Sequence, residues 1–241
     1  MEPLTKKEKR ELKRQEKLEA KEQNIKTRLL KRVAIWGAAF LLLGGAVAGV
    51  FYLDSAEPSQ PALLLDAVSP TDWTKGGEES KAILIEYSDF QCPACGHYYP
   101  LVKQLAQEFG DGMQFAYRHF PLPSHKNAEL AARAAEAGGA QNKFWEMHDM
   151  IFEHQEEWSG KSGAGAQADF KQYSEKLGLD TARFDSDLDS DAIKNKVEND
   201  RQSGLRSKVN STPTFFLNGQ KIQNPRSYDE FKSLINDTLS K

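Results

Sequence analysis

The chain contains two cysteines, Cys92 and Cys95, in the pattern Cys-x-x-Cys. Such a thiol pair can form a redox-active or structural disulfide, contribute to a zinc site, attach haem or bind a soft metal such as Cu(I). A structural zinc site needs four ligands, and the sequence has no second cysteine pair. Haem attachment needs His after the second cysteine, where Gly96 stands. A structural disulfide closing so short a loop adds little stability. A redox-active disulfide and a Cu(I) site remain as possible functions of the pair.

Both cysteines follow a predicted strand and stand at the start of a predicted helix. Residues 82–87 form a short run of mostly apolar, β-branched residues, which is typical of a buried strand. From Cys92 onward, apolar residues every fourth position predict a helix that ends at Gly110, and residues 113–120 alternate as a second strand. Cys-x-x-Cys beside such a strand–helix–strand unit favours the redox use.

The start of this helix predicts which cysteine is the nucleophile. Unpaired N–H groups and the helix dipole favour a thiolate on Cys92. Pro93 at the first helical position costs no hydrogen bond. Cys95, one turn later, points to the same side and can resolve a mixed disulfide. We therefore expect Cys92 to be the nucleophile and Cys95 to be the resolving thiol.

The sequence after the second strand predicts a block of helices and then a hairpin. Apolar residues at helical spacing recur through residues 127–208, where strand patterns are missing. Residues 213–222 predict a β-hairpin around the turn at Asn218 and Gly219. Ser227 opens a capping box before a final amphipathic helix. The predicted order is therefore βαβ, a helical block, and ββα.

This order resembles the DsbA-like thiol:disulfide oxidoreductases of the thioredoxin superfamily. The resemblance covers about residues 63–241 and is much more specific than Cys-x-x-Cys alone. It implies an α/β, thioredoxin-like fold with a helical domain inserted at about residues 127–208. The motifs that carry it are Cys92-Pro93-Ala94-Cys95 after a strand and Thr212-Pro213 before the next strand.

The resemblance also implies the roles of several residues. Cys92 and Cys95 would form the redox disulfide, and Pro213 would follow a cis peptide bond and face that disulfide. The residues implied to bind the substrate chain are Thr212, Pro93 and Ala94. Neither a cofactor nor a metal is expected.

Glu86 is the one charged residue within the apolar strand run, six residues before Cys92. The resemblance implies that Glu86 is the family's buried acid and accepts the proton of Cys95. The other interpretation is a side chain turned to solvent at the end of the strand. Ala94 stands where the strongest oxidants of the family have His, so we expect a weaker oxidant. Gln91 stands where thioredoxin itself has Trp, which argues against a general reductase.

The N-terminal sequence predicts a membrane anchor. Residues 33–53 are 21 residues without a charge, enough for a helix to span the roughly 30 Å hydrocarbon core. A cleaved signal peptide is the other interpretation, although its apolar region is normally about 7–15 residues long. Residues 1–32 carry 12 Lys or Arg and 6 Asp or Glu, so the positive-inside bias places them in the cytoplasm. We expect a tail at 1–32, a single-pass anchor at 33–53, a linker at 54–62 and an extracytoplasmic domain at 63–241.

Together with the predicted anchor, the resemblance implies an enzyme anchored in a bacterial cytoplasmic membrane, like the tethered members of the family. It would donate its disulfide to cysteine pairs of exported proteins and be reoxidised by a quinone-linked membrane partner, either DsbB-like or VKOR-like. An isomerase or reductase would use the same residues. A Cu(I) chaperone is the alternative of another class, because soft thiolates select that metal. Nucleic acid is not an expected partner, since the chain after residue 32 carries 20 Lys or Arg against 29 Asp or Glu.

The histidines show no metal-site spacing. His148 and His154 are six residues apart on a predicted helix, about 120° from a shared face. His97, His119 and His125 are expected at the surface or in loops.

Overall fold

The protein is described by a computed structural model, in which the chain divides into two compact units, Met1–Gln60 and Pro61–Lys241. In the first unit the described residues are helical. The predicted anchor at 33–53 lies outside the described residues apart from two short stretches. Among the helices that are described, none is both long and apolar enough to cross a membrane. The described residues are 21, 26–28, 36–37, 44–45 and 62–241.

Residues 62–241 fold into a mixed β-sheet with helices packed against it. The predicted order of βαβ, helical block and ββα is confirmed, with one additional strand, β1, before it. In chain order the elements are β1 (Trp73–Lys75), β2 (Ala82–Ser88), α1 (Pro93–Phe109), β3 (Met113–His119), α2 (Ala128–Gly139), α3 (Phe144–Glu153), α4 (Gln155–Trp158), α5 (Gly163–Lys176), α6 (Thr181–Leu188), α7 (Asp191–Arg206), β4 (Thr214–Leu217), β5 (Gln220–Lys221) and α8 (Tyr228–Leu239).

The sheet has the strand order β1-β3-β2-β4-β5, with β2 at its centre. Strand β2 pairs in parallel with β3 and antiparallel with β4, so Glu86 lies between Tyr117 and Phe215. The end of β2 leads directly to Cys92. Because β4 runs antiparallel and begins at this same edge, the residues just before Thr214 come close to the thiol pair.

The boundaries of the helices follow from local capping chemistry. Helix α1 ends at Gly110, whose φ of 47° lies in the left-handed region that favours glycine. The Ser227 hydroxyl accepts a hydrogen bond from the Glu230 amide at the start of α8, as predicted. The Glu230 carboxylate accepts from the Arg226 amide at 2.8 Å, one residue before the cap. Side-chain caps of the same kind begin α5, α6 and α7.

Both faces of the sheet are covered by apolar packing. One face carries the larger core, to which α1, α8 and the helical block contribute. On the other face, helix α7 packs against Tyr87 and Phe120 through Gly204. A β-carbon at Gly204 would lie 2.6 Å from the Phe120 ring, so this close approach requires glycine.

A buried ionic cluster ties the sheet to the helical block. The His119 side chain lies 2.8 Å from Glu136, which also accepts a hydrogen bond from the Trp73 indole. Asp200 completes the cluster, and the Lys196 ammonium lies 2.6 Å from its carboxylate. His119 and the two carboxylates have the ligand atoms of a metal site, but Trp73 and Lys196 already bind those carboxylates.

The prediction that His119 lies at the surface or in a loop was wrong. His119 is the last residue of β3 and is 1% exposed, because the helical block covers that end of the strand. His148 is also buried, on α3.

Candidate active site

The thiol pair lies at the first turn of α1, as predicted. Cys92 is the N-cap of the helix and Pro93 is its first residue. Both cysteines are free thiols in this structure. Cys92 is 7% exposed and Cys95 is fully buried, whereas Pro93 and Ala94 are exposed. An incoming sulfur atom can therefore reach Cys92 but not Cys95.

Local hydrogen bonds stabilise the thiolate of Cys92. A hydrogen bond from the Cys95 thiol lowers the pKa of Cys92 below its ordinary value of 9.0. Burial acts in the opposite direction, and contacts with Thr212 and with the amides of Cys95 and Ala94 lower the pKa further. The donors are the second thiol and the first amide groups of the helix, which lie at its N-terminus.

The pKa of Cys95 is shifted in the opposite direction. Burial raises the pKa of Cys95 well above 9.0, and the nearby Cys92 and Glu86 raise it further. Its sulfur accepts a hydrogen bond from the Asp89 amide at 3.4 Å. At neutral pH the pair therefore holds one proton on the buried sulfur and an anion on the accessible one.

Glu86 is buried, with 4% of its surface exposed, so the alternative of a solvent-facing side chain is wrong. Burial is the main reason that the pKa of Glu86 rises from 4.5 to about 7; a hydrogen bond with Ser88 opposes this rise and the nearby Cys92 adds to it. A carboxyl group with this pKa exchanges a proton readily at neutral pH.

A small cavity lies against Glu86 on the α1 side of the sheet. Its polar lining includes Lys103, Asp149 and His148. The Lys103 ammonium lies 2.9 Å from the Asp149 carboxylate. Burial lowers the pKa of His148 to about 4, so this imidazole is neutral at pH 7. Glu86 and the partly exposed Lys103 thus line the same cavity.

Thr212 and Pro213 lie on the other side of Cys92. The Thr212–Pro213 peptide bond is cis, as the resemblance implies. The Cys92 sulfur lies 3.5 Å from the Thr212 carbonyl oxygen. The Pro213 carbonyl accepts a hydrogen bond from the Asn224 side chain at 2.9 Å. The structure thus brings Thr212 and Pro213 to the same place as the Cys92 turn.

Three further polar residues hold the turn before α1, and the sequence analysis predicted this role for none of them. The Asp89 carboxylate accepts hydrogen bonds from the Gln91 amide, the Leu122 amide and the His125 side chain, at 2.7 to 2.8 Å. The Gln91 side chain accepts a hydrogen bond from the Asn127 amide and donates one to the Ser159 carbonyl, both in the helical block. Gln155, on α4, donates hydrogen bonds to the Phe90 and Cys92 carbonyl groups of this turn. Asp89 and Gln91 are polar residues directly before the Cys-x-x-Cys motif, and this position could have indicated their role from the sequence.

The family model described as Thioredoxin matches residues 68–237. Over 180 residues, the chain is 36% identical to the Na(+)/H(+) antiporter NhaA 1 of Mycobacterium sp. (strain KMS), covering 71% of this chain and 28% of that protein. The chain thus spans about a quarter of the length of the curated relatives it matches.

Solved structures share the fold at low sequence identity. Oxidised BdbD from Bacillus subtilis matches with a TM-score of 0.64 and 22% identity, over 76% of this chain and 100% of that one. Wolbachia pipientis alpha-DsbA1 matches with a TM-score of 0.63 and 20% identity, over 73% of this chain and 94% of that one. The chain therefore belongs to the thioredoxin family, and it shares its fold with BdbD and alpha-DsbA1, as the sequence analysis expected.

Proposed function

We propose that this protein is an oxidase that donates a Cys92–Cys95 disulfide to cysteine pairs of exported proteins. The observation that carries the proposal is the unequal placement of the two thiols, with Cys92 at the N-cap of α1 and Cys95 fully buried. This placement lowers the pKa of Cys92 and raises that of Cys95, which favours a thiolate on Cys92. Stabilising the Cys92 thiolate stabilises the reduced form of the protein. The disulfide is then easier to give away.

The reaction follows in two exchanges. A substrate thiolate attacks the Cys92 sulfur, the Cys92–Cys95 bond breaks, and Cys95 leaves with the electron pair. Glu86, with its pKa near neutrality, supplies the proton that Cys95 takes up. The second substrate thiolate then attacks the substrate sulfur of the mixed disulfide and displaces Cys92 as a thiolate. The substrate has lost two electrons and the protein has gained them.

Reoxidation runs these steps in reverse. Glu86 then accepts the proton of Cys95 as this thiol attacks a mixed disulfide between Cys92 and the reoxidant. We propose a quinone-linked membrane protein, DsbB-like or VKOR-like, as this reoxidant, because an oxidase needs an electron acceptor of higher potential.

We propose that the substrate chain lies along Thr212 and Pro213 and contacts Pro93 and Ala94. The position of the Thr212 carbonyl, 3.5 Å from the Cys92 sulfur, supports this arrangement. An extended substrate segment beside this backbone would present its cysteine to Cys92.

The direction of the reaction is tested by equilibrating the purified protein with glutathione. We expect a reduction potential above the roughly −270 mV of thioredoxin. The missing His at position 94 should keep it below that of the strongest oxidants, such as DsbA at about −120 mV. A potential at or below that of thioredoxin would instead favour a reductase.

We also propose that residues 33–53 anchor the protein in a bacterial cytoplasmic membrane, with residues 63–241 outside. The uncharged run and the basic segment before it support this topology. Protease added to intact spheroplasts should then digest the redox domain. A domain that is protected in spheroplasts, or a full-length chain recovered in the soluble fraction, would contradict the topology.

A further inference from the structure

The helical block reaches the active-site turn through Gln155, the first residue of α4. Its side-chain nitrogen lies 2.6 Å from the Phe90 carbonyl oxygen and 2.9 Å from the Cys92 carbonyl oxygen. Both partners are acceptors, so the group that faces them must be the NH₂ of the carboxamide, which has two donor hydrogens. One side chain thus binds the backbone on both sides of Gln91.

Contacts at both ends hold helix α4 in this position. The Trp158 side chain is fully buried, and its indole N–H donates to the Ile151 carbonyl on α3 at 2.8 Å. At the other end of α4, the Ser159 carbonyl accepts a hydrogen bond from the Gln91 side chain at 2.8 Å. The short helix therefore binds the active-site turn at both of its ends.

The sequence of the motif accommodates the Gln155 carboxamide. A β-carbon at position 96 would lie 2.6 Å from the Gln155 side-chain oxygen, so only glycine leaves room for it. The Cys92 carbonyl that Gln155 binds also accepts the Gly96 amide at 3.1 Å, in the first turn of α1. The carboxamide therefore packs directly on the turn that carries the nucleophile.

We propose that Gln155 is a positioning residue for thiol exchange, which holds the Phe90 and Cys92 carbonyl groups and so keeps the Cys92 sulfur aligned with the first amides of α1. The inference rests on the proposed function, because it concerns the reactivity of the same thiol. Gln155 does not touch the sulfur. It acts through the backbone of the turn, and it makes the reactivity of Cys92 depend on the docking of the helical block.

The test replaces the carboxamide by an unbranched apolar side chain of similar length, in Gln155→Met. Gln141→Met is the matched control, because the Gln141 carboxamide also binds two backbone groups, the amide and carbonyl of Asp180, within the helical block. For each full-length protein we would measure the pH dependence of Cys92 alkylation, the equilibrium with glutathione and the unfolding in urea.

In Gln155→Met we expect Cys92 to ionise at higher pH than in the wild type. The tendency of the disulfide to oxidise glutathione should fall about fivefold or more, which is what the loss of one hydrogen bond corresponds to. Gln141→Met should lose a similar amount of stability and keep the wild-type alkylation profile and glutathione equilibrium. A folded Gln155→Met protein with both redox readouts unchanged would overturn the proposal.

A second variant covers the case in which Gln155→Met does not fold. Gly96→Ala places a methyl group against the Gln155 oxygen and should displace the carboxamide, with the same shift in Cys92 alkylation. An unchanged profile in folded Gly96→Ala would equally overturn the proposal. If the wild-type protein itself fails to oxidise glutathione, the oxidase function fails instead, while the alkylation profiles still report on Gln155.

Discussion

Glu86→Gln tests the buried acid most directly, because it removes the ionisable group and nearly preserves the shape of the side chain. Burial raises the pKa of Glu86 from 4.5 to about 7. Ionising this carboxyl group therefore costs more free energy in the folded protein than in the unfolded chain, where the group is in water. Below pH 4.5 the carboxyl is protonated in both states and the folded protein keeps its full stability.

As the pH rises from 4.5 to about 7, the unfolded chain releases this proton before the folded protein does, so the stability of the wild type falls. Above pH 7 both states are ionised and the loss stays constant. A difference of about 2.5 pH units, at about 1.36 kcal/mol each, corresponds to a loss of about 3 kcal/mol. Glutamine cannot ionise, so the variant should not show this loss.

The assay is urea unfolding of the reduced wild type and of Glu86→Gln at several pH values from 4 to 8. The stability of the variant relative to the wild type should rise by about 3 kcal/mol across this range, whatever the constant offset at low pH. Glu79→Gln, at an exposed glutamate, is the control and should change the stability by less than about 0.5 kcal/mol at each pH.

The same variant also tests the role of the acid in exchange. Without a proton donor for Cys95, turnover should slow by about tenfold or more, while Cys92 alkylation stays close to that of the wild type. A stability difference that does not vary between pH 4 and 8 would refute the buried, ionisable state of Glu86. Unchanged turnover would refute its role as proton carrier.

Three other predictions concern the thiol pair and the buried ion pair. Cys92 alkylation should show a pKa well below 9.0, and an ordinary thiol titration would contradict the stabilised thiolate. Cys95→Ala should accumulate mixed disulfides with substrates on non-reducing gels, because the resolving thiol is missing, and Cys92→Ala should form none; equal amounts in the two variants would contradict these roles. Arg118→Met should cost about 3–5 kcal/mol in urea unfolding, since it leaves Asp72 buried without its bidentate partner. Arg206→Met, which breaks an exposed ion pair, should cost about 1 kcal/mol or less, and equal costs would show that burial does not govern the effect.

The sequence by itself determined the local elements and the type of chemistry. The apolar spacing predicts a block of helices within 127–208 and a hairpin at 213–222, and the structure has α2 to α7 and then β4 and β5 in those ranges. The thiol pair at the start of α1 and the cap at Ser227 were predicted equally well. These features depend on residues within one or two turns of each other, so a contiguous stretch of sequence contains the information.

The tertiary structure decided which of these residues act together. Strand β1 has only three residues, too few for an alternating pattern, and it forms because β3 provides a partner edge. His119 is buried because the helical block covers the end of β3, which its own sequence does not show. Gln155 lies 63 residues from Cys92 in sequence and contacts its carbonyl only because α4 docks on the turn. Contacts between distant segments depend on the packing of whole elements, and a single sequence contains no local pattern for them.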